Sequence, residues 1–136
     1  MKRNNKILIV SSNYYQDLLD PMEKDAKIIL DNAKKIISNY QVVVAPGVFE
    51  IPVIIARNIK KYDGFVALGC VIKGETPHFD FISTAATDGI MKISIENKKP
   101  IGNGILTCLN RDQAEVRSKT KGKEATKALV SVLSQP

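Results

Sequence analysis

One histidine, His78, stands in the whole chain, and its surroundings are chemically dense. Gly69-Cys70-Val71-Ile72-Lys73-Gly74-Glu75-Thr76-Pro77-His78 runs from an apolar segment into a proline. Glycine followed by Thr-Pro marks a chain turning into a helix, with Thr76 as N-cap and Pro77 as first helical residue. Backbone N–H groups of Gly74, Glu75 and Thr76, together with the helix dipole, form a natural phosphate site. The Glu75 side chain has the wrong charge for that role, so it contributes through its N–H alone. An imidazole beside such a site can move protons near neutral pH. A capping or surface histidine accounts for the same spacing, and the residues by themselves leave both open.

Three further groups could take part. Glu50, in Pro46-Gly47-Val48-Phe49-Glu50-Ile51-Pro52, can accept hydrogen bonds from hydroxyls or amino groups, or can simply favour a helix start electrostatically. Tyr14 and Tyr15, after Ser11-Ser12-Asn13, could stack on a planar ligand, or one could pack while the other faces water. Arg117, in a stretch with Arg111, Lys119, Lys121 and Lys123, could hold a phosphate bidentately or belong to a solvated basic turn. Glycine patterns for dinucleotides or a P-loop are absent. One histidine and two cysteines are too few for a zinc site, and no Ser-His-Asp arrangement is visible from spacing.

Positioning these groups falls to alternating elements. Residues 6–11 read as a buried strand. Leu19, Met22, Ala26, Ile29, Leu30, Ala33, Ile36 and Ile37 recur at helical steps, with Asp17 and Asp20 in the first turn and Pro21 at an early, tolerated position. A valine-rich strand at 41–45 precedes a short helix at 51–61, with Pro52 in its first turn. A strand at 65–71 leads to a helix ending near Asn97. A strand at 104–108 and helices at 112–117 and 121–133 complete the chain. Apolar strands alternating with amphipathic helices predict an α/β fold: a four-stranded parallel sheet flanked by helices on both faces, three-layer α/β/α and flavodoxin-like. Ligands of such sheets bind beyond the carboxyl ends of strands. Those ends, after Val10, Ala45, Val71 and Thr107, are where the candidate residues cluster.

The 136 residues suit a single domain spanning 1–136. With 44% hydrophobic and 25% charged residues, disorder is not expected, and oligomerisation would help so small a core. The apolar run at 7–10 is too short for a signal peptide, and no run reaches membrane-spanning length. Cys70 and Cys108 read as reduced core thiols, which implies a cytoplasmic protein. The net charge of +6 suits an anionic small substrate. No recognised module accompanies it to suggest nucleic acid.

Two segments resemble a known family. Ala45-Pro46-Gly47-Val48-Phe49-Glu50-Ile51-Pro52 is similar to the PGAFEIP segment of lumazine synthases. Leu68-Gly69-Cys70-Val71-Ile72-Lys73-Gly74-Glu75-Thr76-Pro77-His78-Phe79-Asp80 is similar to their LGxVIRGxTxHxDY segment. The resemblance runs from about Lys6 to the last helix. It implies a transferase of riboflavin biosynthesis that condenses 5-amino-6-(D-ribitylamino)uracil with 3,4-dihydroxy-2-butanone 4-phosphate. It also implies no metal or organic cofactor, homopentamers or larger shells, sites between neighbouring subunits, and riboflavin synthase as a partner to consider. Residue by residue, Tyr14 matches the aromatic that stacks on the pyrimidine. Val48, Phe49 and Glu50 match the stretch holding the pyrimidine and ribityl chain. Val71, Ile72 and Lys73 match the ring pocket. Gly74, Glu75 and Thr76 match the phosphate loop, aided by Arg117. His78 matches the proton-transfer residue. Lys121 matches a basic residue offered by the neighbouring subunit.

Three departures stand out. Tyr14-Tyr15 replaces a frequent Phe-Asn. Asn103 stands where many members place a phenylalanine that closes the ring pocket from the neighbour. The turn Arg117-Ser118-Lys119-Thr120-Lys121-Gly122 is shorter than the common one, which loosens the register of Lys121. Two other readings compete: a carrier that keeps the fold and binds without turnover, and a flavodoxin-like or nucleic-acid-binding α/β domain.

Overall fold

The computed structural model describes residues 4–74 and 77–136. Glu75 and Thr76, expected in the phosphate loop and at the helix cap, lie outside the described residues. Four strands, β1 (Asn5–Ser12), β2 (Ile37–Ala45), β3 (Gly64–Ile72) and β4 (Ile101–Cys108), form one sheet in the order β2-β1-β3-β4. Every pairing is parallel. Five helices connect or follow them: α1 (Gln16–Asp31), α2 (Ile51–Arg57), α3 (His78–Asn97), α4 (Arg111–Ser118) and α5 (Lys121–Leu133). This is the three-layer α/β/α arrangement that the alternation predicts.

The central strands are buried on both faces. In β1, Ile7 and Ile9 join Leu19, Met22 and Leu30 of α1, Ala114 of α4 and Leu129 of α5 in one core. The alternate residues, Leu8 and Val10, join Val48, Ile51, Ile55, Ala86 and Ile90 in the other. The period of two along a strand divides the cores. Burial of a large aliphatic side chain such as Leu8 or Ile9 contributes roughly 1.5–3 kcal/mol.

Several boundaries differ from those the sequence predicts. The helical repeat that includes Ala33, Ile36 and Ile37 stops at Asp31. A turn follows, in which the Ile36 and Ile37 N–H groups both donate to the Ala33 carbonyl, at 3.0 and 2.9 Å. Ile37 already belongs to β2, so that strand begins well before residue 41. The apolar pattern persists because Ala33, Ile36 and Ile37 pack on the same core as α1. Pro21 lies within α1, beyond the first turn where its missing N–H would cost nothing. α2 ends at Arg57, where the Asn58 side-chain amide donates to the Ile54 carbonyl at 2.8 Å. Pro77 is the cap of α3 rather than its first residue. β4 begins at Ile101, three residues before the strand that the sequence predicts at 104–108. A Cβ at Gly102 would stand 2.4 Å from the Ala125 carbonyl oxygen, so this glycine lets α5 lie against the strand.

Candidate functional site

The carboxyl ends of β1, β2 and β3 open into a cleft of about 620 Å³. Each wall has a local cause. Beyond β1, the Tyr14 N–H donates to Ser12 Oγ at 3.2 Å, and the Asn13 N–H donates to the Ala45 carbonyl at 3.0 Å, tying the loop to the end of β2. Tyr15 then adopts a left-handed backbone, φ 59° and ψ 56°. That conformation costs a non-glycine residue roughly 1–2 kcal/mol, and asparagine tolerates it better than tyrosine. The Tyr14 and Tyr15 rings meet edge to face, 4.9 Å apart at 87°.

Beyond β2, Gly47 is extended and Val48–Glu50 form one 3-10 turn leading into α2. This turn sits directly on β3. A Cβ at Gly69 would lie 2.6 Å from Val48 Cγ2, so glycine at that strand position is what admits the turn. The Glu50 carboxylate folds towards Gly47, where an added Cβ would stand 3.1 Å from its Oε1. Val48 is buried while Phe49 remains 60% exposed. Beyond β3, Cys70, Val71 and Ile72 line the cleft. Its far wall is His78, the first residue of α3, with Phe81 and Ile82 one turn on.

The structure therefore brings together Tyr14, Val48, Phe49, Glu50, Val71, Ile72 and His78 of the residues the sequence singles out. Lys73 and Gly74 are exposed and do not line the cleft. The Lys73 N–H instead donates to the Cys108 carbonyl at 2.9 Å, which holds the start of the loop at the end of β4. Arg117 is exposed in the last turn of α4, and its charge is felt at Cys108. It therefore stands at the same end of the sheet as Lys73 and Gly74. Asn103 and Lys121 are elsewhere. They line a separate groove between the amino half of β4 and α5, and Asn103 Oδ1 accepts from the Ile105 N–H at 3.0 Å.

Among the lining residues, Cys70, Phe81 and Ile82 escape the sequence reading, while Tyr15, one of the two tyrosines it offered for stacking, forms part of the wall. Phe81 and Ile82 follow His78 by three and four positions, the spacing of one helix face, so that signal was present. Cys70 carried none. Burial pushes its thiol up to about 12, reinforced by Cys108 and opposed by Arg111. The Tyr15 hydroxyl is raised as well, by burial first and then by Tyr14 and Cys70. Burial also raises Cys108, against the pull of Arg117. Both cysteines are free and buried. Among the described residues no cluster of histidine, cysteine and carboxylate side chains could hold a metal ion, and no helix is long and apolar enough to cross a membrane.

Proteins of known activity share much of this sequence. The 6,7-dimethyl-8-ribityllumazine synthase of Agrobacterium fabrum is 39% identical over 93% of this chain and 91% of its own length. Its counterpart in Bartonella tribocorum is 38% identical over 90% of this chain and 82% of its own length. That of Corynebacterium kroppenstedtii is 38% identical over 92% and 80%. The family model for 6,7-dimethyl-8-ribityllumazine synthase matches residues 4–136. With a cleft at the strand ends, the motif residues on its walls and a match over nearly the whole sequence, the chain belongs to the 6,7-dimethyl-8-ribityllumazine synthase family.

Proposed function

We propose that the chain, as a single catalytic domain, condenses 5-amino-6-(D-ribitylamino)uracil with 3,4-dihydroxy-2-butanone 4-phosphate to give 6,7-dimethyl-8-ribityllumazine, phosphate and two waters. The observation that carries this reading is the convergence of Tyr14, Glu50 and His78 on one cleft in a chain of that family. The exposed Tyr14 ring offers a face to the pyrimidine. Glu50 accepts from the ribityl hydroxyls, with Val48 and Phe49 along the chain, while Val71 and Ile72 close on the ring. Lys73 serves this pocket from the loop rather than from the wall. Gly74 and Arg117 take the phosphate, together with Glu75 and Thr76 of the same motif.

An amine attacks a ketone and water leaves. Phosphate is then eliminated and the ring closes with loss of the second water. The atoms balance without an external oxidant or reductant, which supports a reaction needing no cofactor. What the steps do require is proton transfer, and His78 supplies it as base and then acid. Holding two reactants in register contributes up to ~7–11 kcal/mol of the barrier in ideal cases.

The reading extends to assembly as a homopentamer or a larger shell. α3 buries Ala86 and Ile90 along its 20 residues, and leaves Phe81, Met91 and Ile95 at least 58% exposed. An apolar helix face of this kind is covered in subunit interfaces. Asn103 and Lys121, remote from the chain's own cleft, would then reach the cleft of a neighbour. The free cysteines support a cytoplasmic setting.

The test is to mix the protein with both substrates and follow lumazine fluorescence and free phosphate together. A protein-dependent rise in both supports the reaction. Tight binding of the lumazine without turnover would replace it with a carrier role.

A further inference from the structure

Arg111 begins α4, outside the segments that carry the family resemblance, yet it reaches the cleft loop. Its guanidinium lies 6.0 Å from the centroid of the Tyr15 ring. It pairs with Asp17 in the first turn of α1 and, at 3.9 Å, with Glu115 one turn along its own helix. Its place is fixed locally. Asn110 Oδ1 accepts from the Gln113 N–H at 2.9 Å, and Gln113 Oε1 accepts from the Leu109 N–H at 2.8 Å. This reciprocal cap starts α4 at Arg111. Tyr15 in turn meets the Tyr14 ring edge to face, and both rings line the cleft. Cys70 on the cleft wall also feels the Arg111 charge.

We propose that Arg111 is a positioning residue for the ring pocket: anchored by Asp17 and Glu115, it holds the Tyr15 ring, and through it the Tyr14 ring, at the wall that receives the planar heterocycle. The inference rests on the reaction proposed above. Tyr15 occupies a left-handed backbone that a tyrosine enters only when its surroundings hold it there, and a guanidinium over its ring face is such a hold. Two ion pairs leave the guanidinium few alternative placements. A lysine keeps the charge but loses the planar fork that stacks and pairs at once.

The test uses the full-length protein and its Arg111→Met, Arg111→Lys, Tyr15→Asn and Arg111→Met/Tyr15→Asn variants. Affinity for 6,7-dimethyl-8-ribityllumazine is read by fluorescence titration, and KM is measured for each substrate. Arg111→Met is expected to weaken lumazine binding and raise KM for the pyrimidine about 2- to 5-fold, the range of an exposed cation–π contact. The KM for the sugar phosphate and kcat should change less. Arg111→Lys should recover part of the loss. In the Tyr15→Asn background the Arg111 substitution should have little further effect, because the contact it removes is already gone. Fluorotyrosine labelling adds a ligand-independent readout, since the Tyr14 resonance should move when Arg111 is replaced.

An unmoved Tyr14 resonance in Arg111→Met overturns the proposal. So does an equal loss for both substrates accompanied by a fall in Tm. Should the wild-type protein fail to bind the lumazine or turn over, the assigned reaction falls. The Tyr14 resonance would still decide whether Arg111 positions that ring.

Discussion

In the proposed reaction a proton moves between the amine of one substrate and the carbonyl of the other, and His78, the one histidine of the chain, is the side chain proposed to carry it. Replacing it with alanine is expected to lower kcat by roughly 10²–10⁴-fold, while lumazine still binds in a fluorescence titration. Arg117→Ala should act mainly on the KM for the sugar phosphate, because Arg117 stands by the end of β4 and not in the ring cleft. Variants of both residues that turn over like wild type would show that the site is misassigned. Cys70 makes a separate prediction. Its thiol is raised from 9.0 to about 12 by burial, so the folded protein keeps it protonated where the unfolded chain does not. Its contribution to stability is therefore complete below pH 9 and is lost as pH rises towards about 12. Urea unfolding of wild type should weaken across that window more steeply than that of Cys70→Ala. At pH 8 the thiol should react slowly with iodoacetamide in the native protein and promptly in urea.

Elements place these residues through close approaches. The 3-10 turn carrying Val48, Phe49 and Glu50 lies against β3 because Gly69 has no side chain there. Gly69→Ala should push Val48 outward by more than a tolerable contact and displace Glu50 with it. An overpacked core of this kind loses typically ~1–3 kcal/mol. The expected result is a lower Tm together with a higher KM for the pyrimidine, and a wild-type KM would show that the turn relaxes without moving Glu50. The glycine at 122 plays the same part between helices. A Cβ there would stand 2.5 Å from the Met22 carbonyl oxygen, so α5 meets α1 backbone to backbone.

At the scale of the whole molecule, the separation of Asn103 and Lys121 from the cleft has a direct consequence. If each working site takes residues from two neighbours, two inactive proteins can repair one another. His78→Ala and Lys121→Ala homomers, dissociated and reassembled together, should regain part of the wild-type rate, because some interfaces then join an intact cleft to an intact Lys121. Mixtures as inactive as their parents would show that Lys121 does not serve a neighbour's cleft. The exposed side chains of α3 lead to the same experiment by another route. Met91→Glu or Ile95→Glu should leave far-ultraviolet circular dichroism intact while lowering the oligomer mass in sedimentation, and activity should fall with assembly.

The alternation of apolar strands and amphipathic helices determined the three-layer sheet from sequence, because the periods of two and 3.6 report directly which residues face a core. The grouping of Glu50 and His78 near strand ends was legible for the same reason, since parallel strands carry their carboxyl termini to one edge. The end of α1 was not. Ile36 and Ile37 pack on the α1 core after the helix has stopped, so hydrophobic period alone could not separate turn from helix. The start of β4 was missed by three residues, because Gly102 has no apolar side chain to mark a strand and instead makes a close approach to α5 in space. Only the tertiary structure decided that Cys70, Phe81 and Tyr15 share the cleft wall, and that Asn103 and Lys121 do not. Both facts depend on how separate elements pack, and a contact between side chains distant in sequence leaves no periodic trace in the sequence itself.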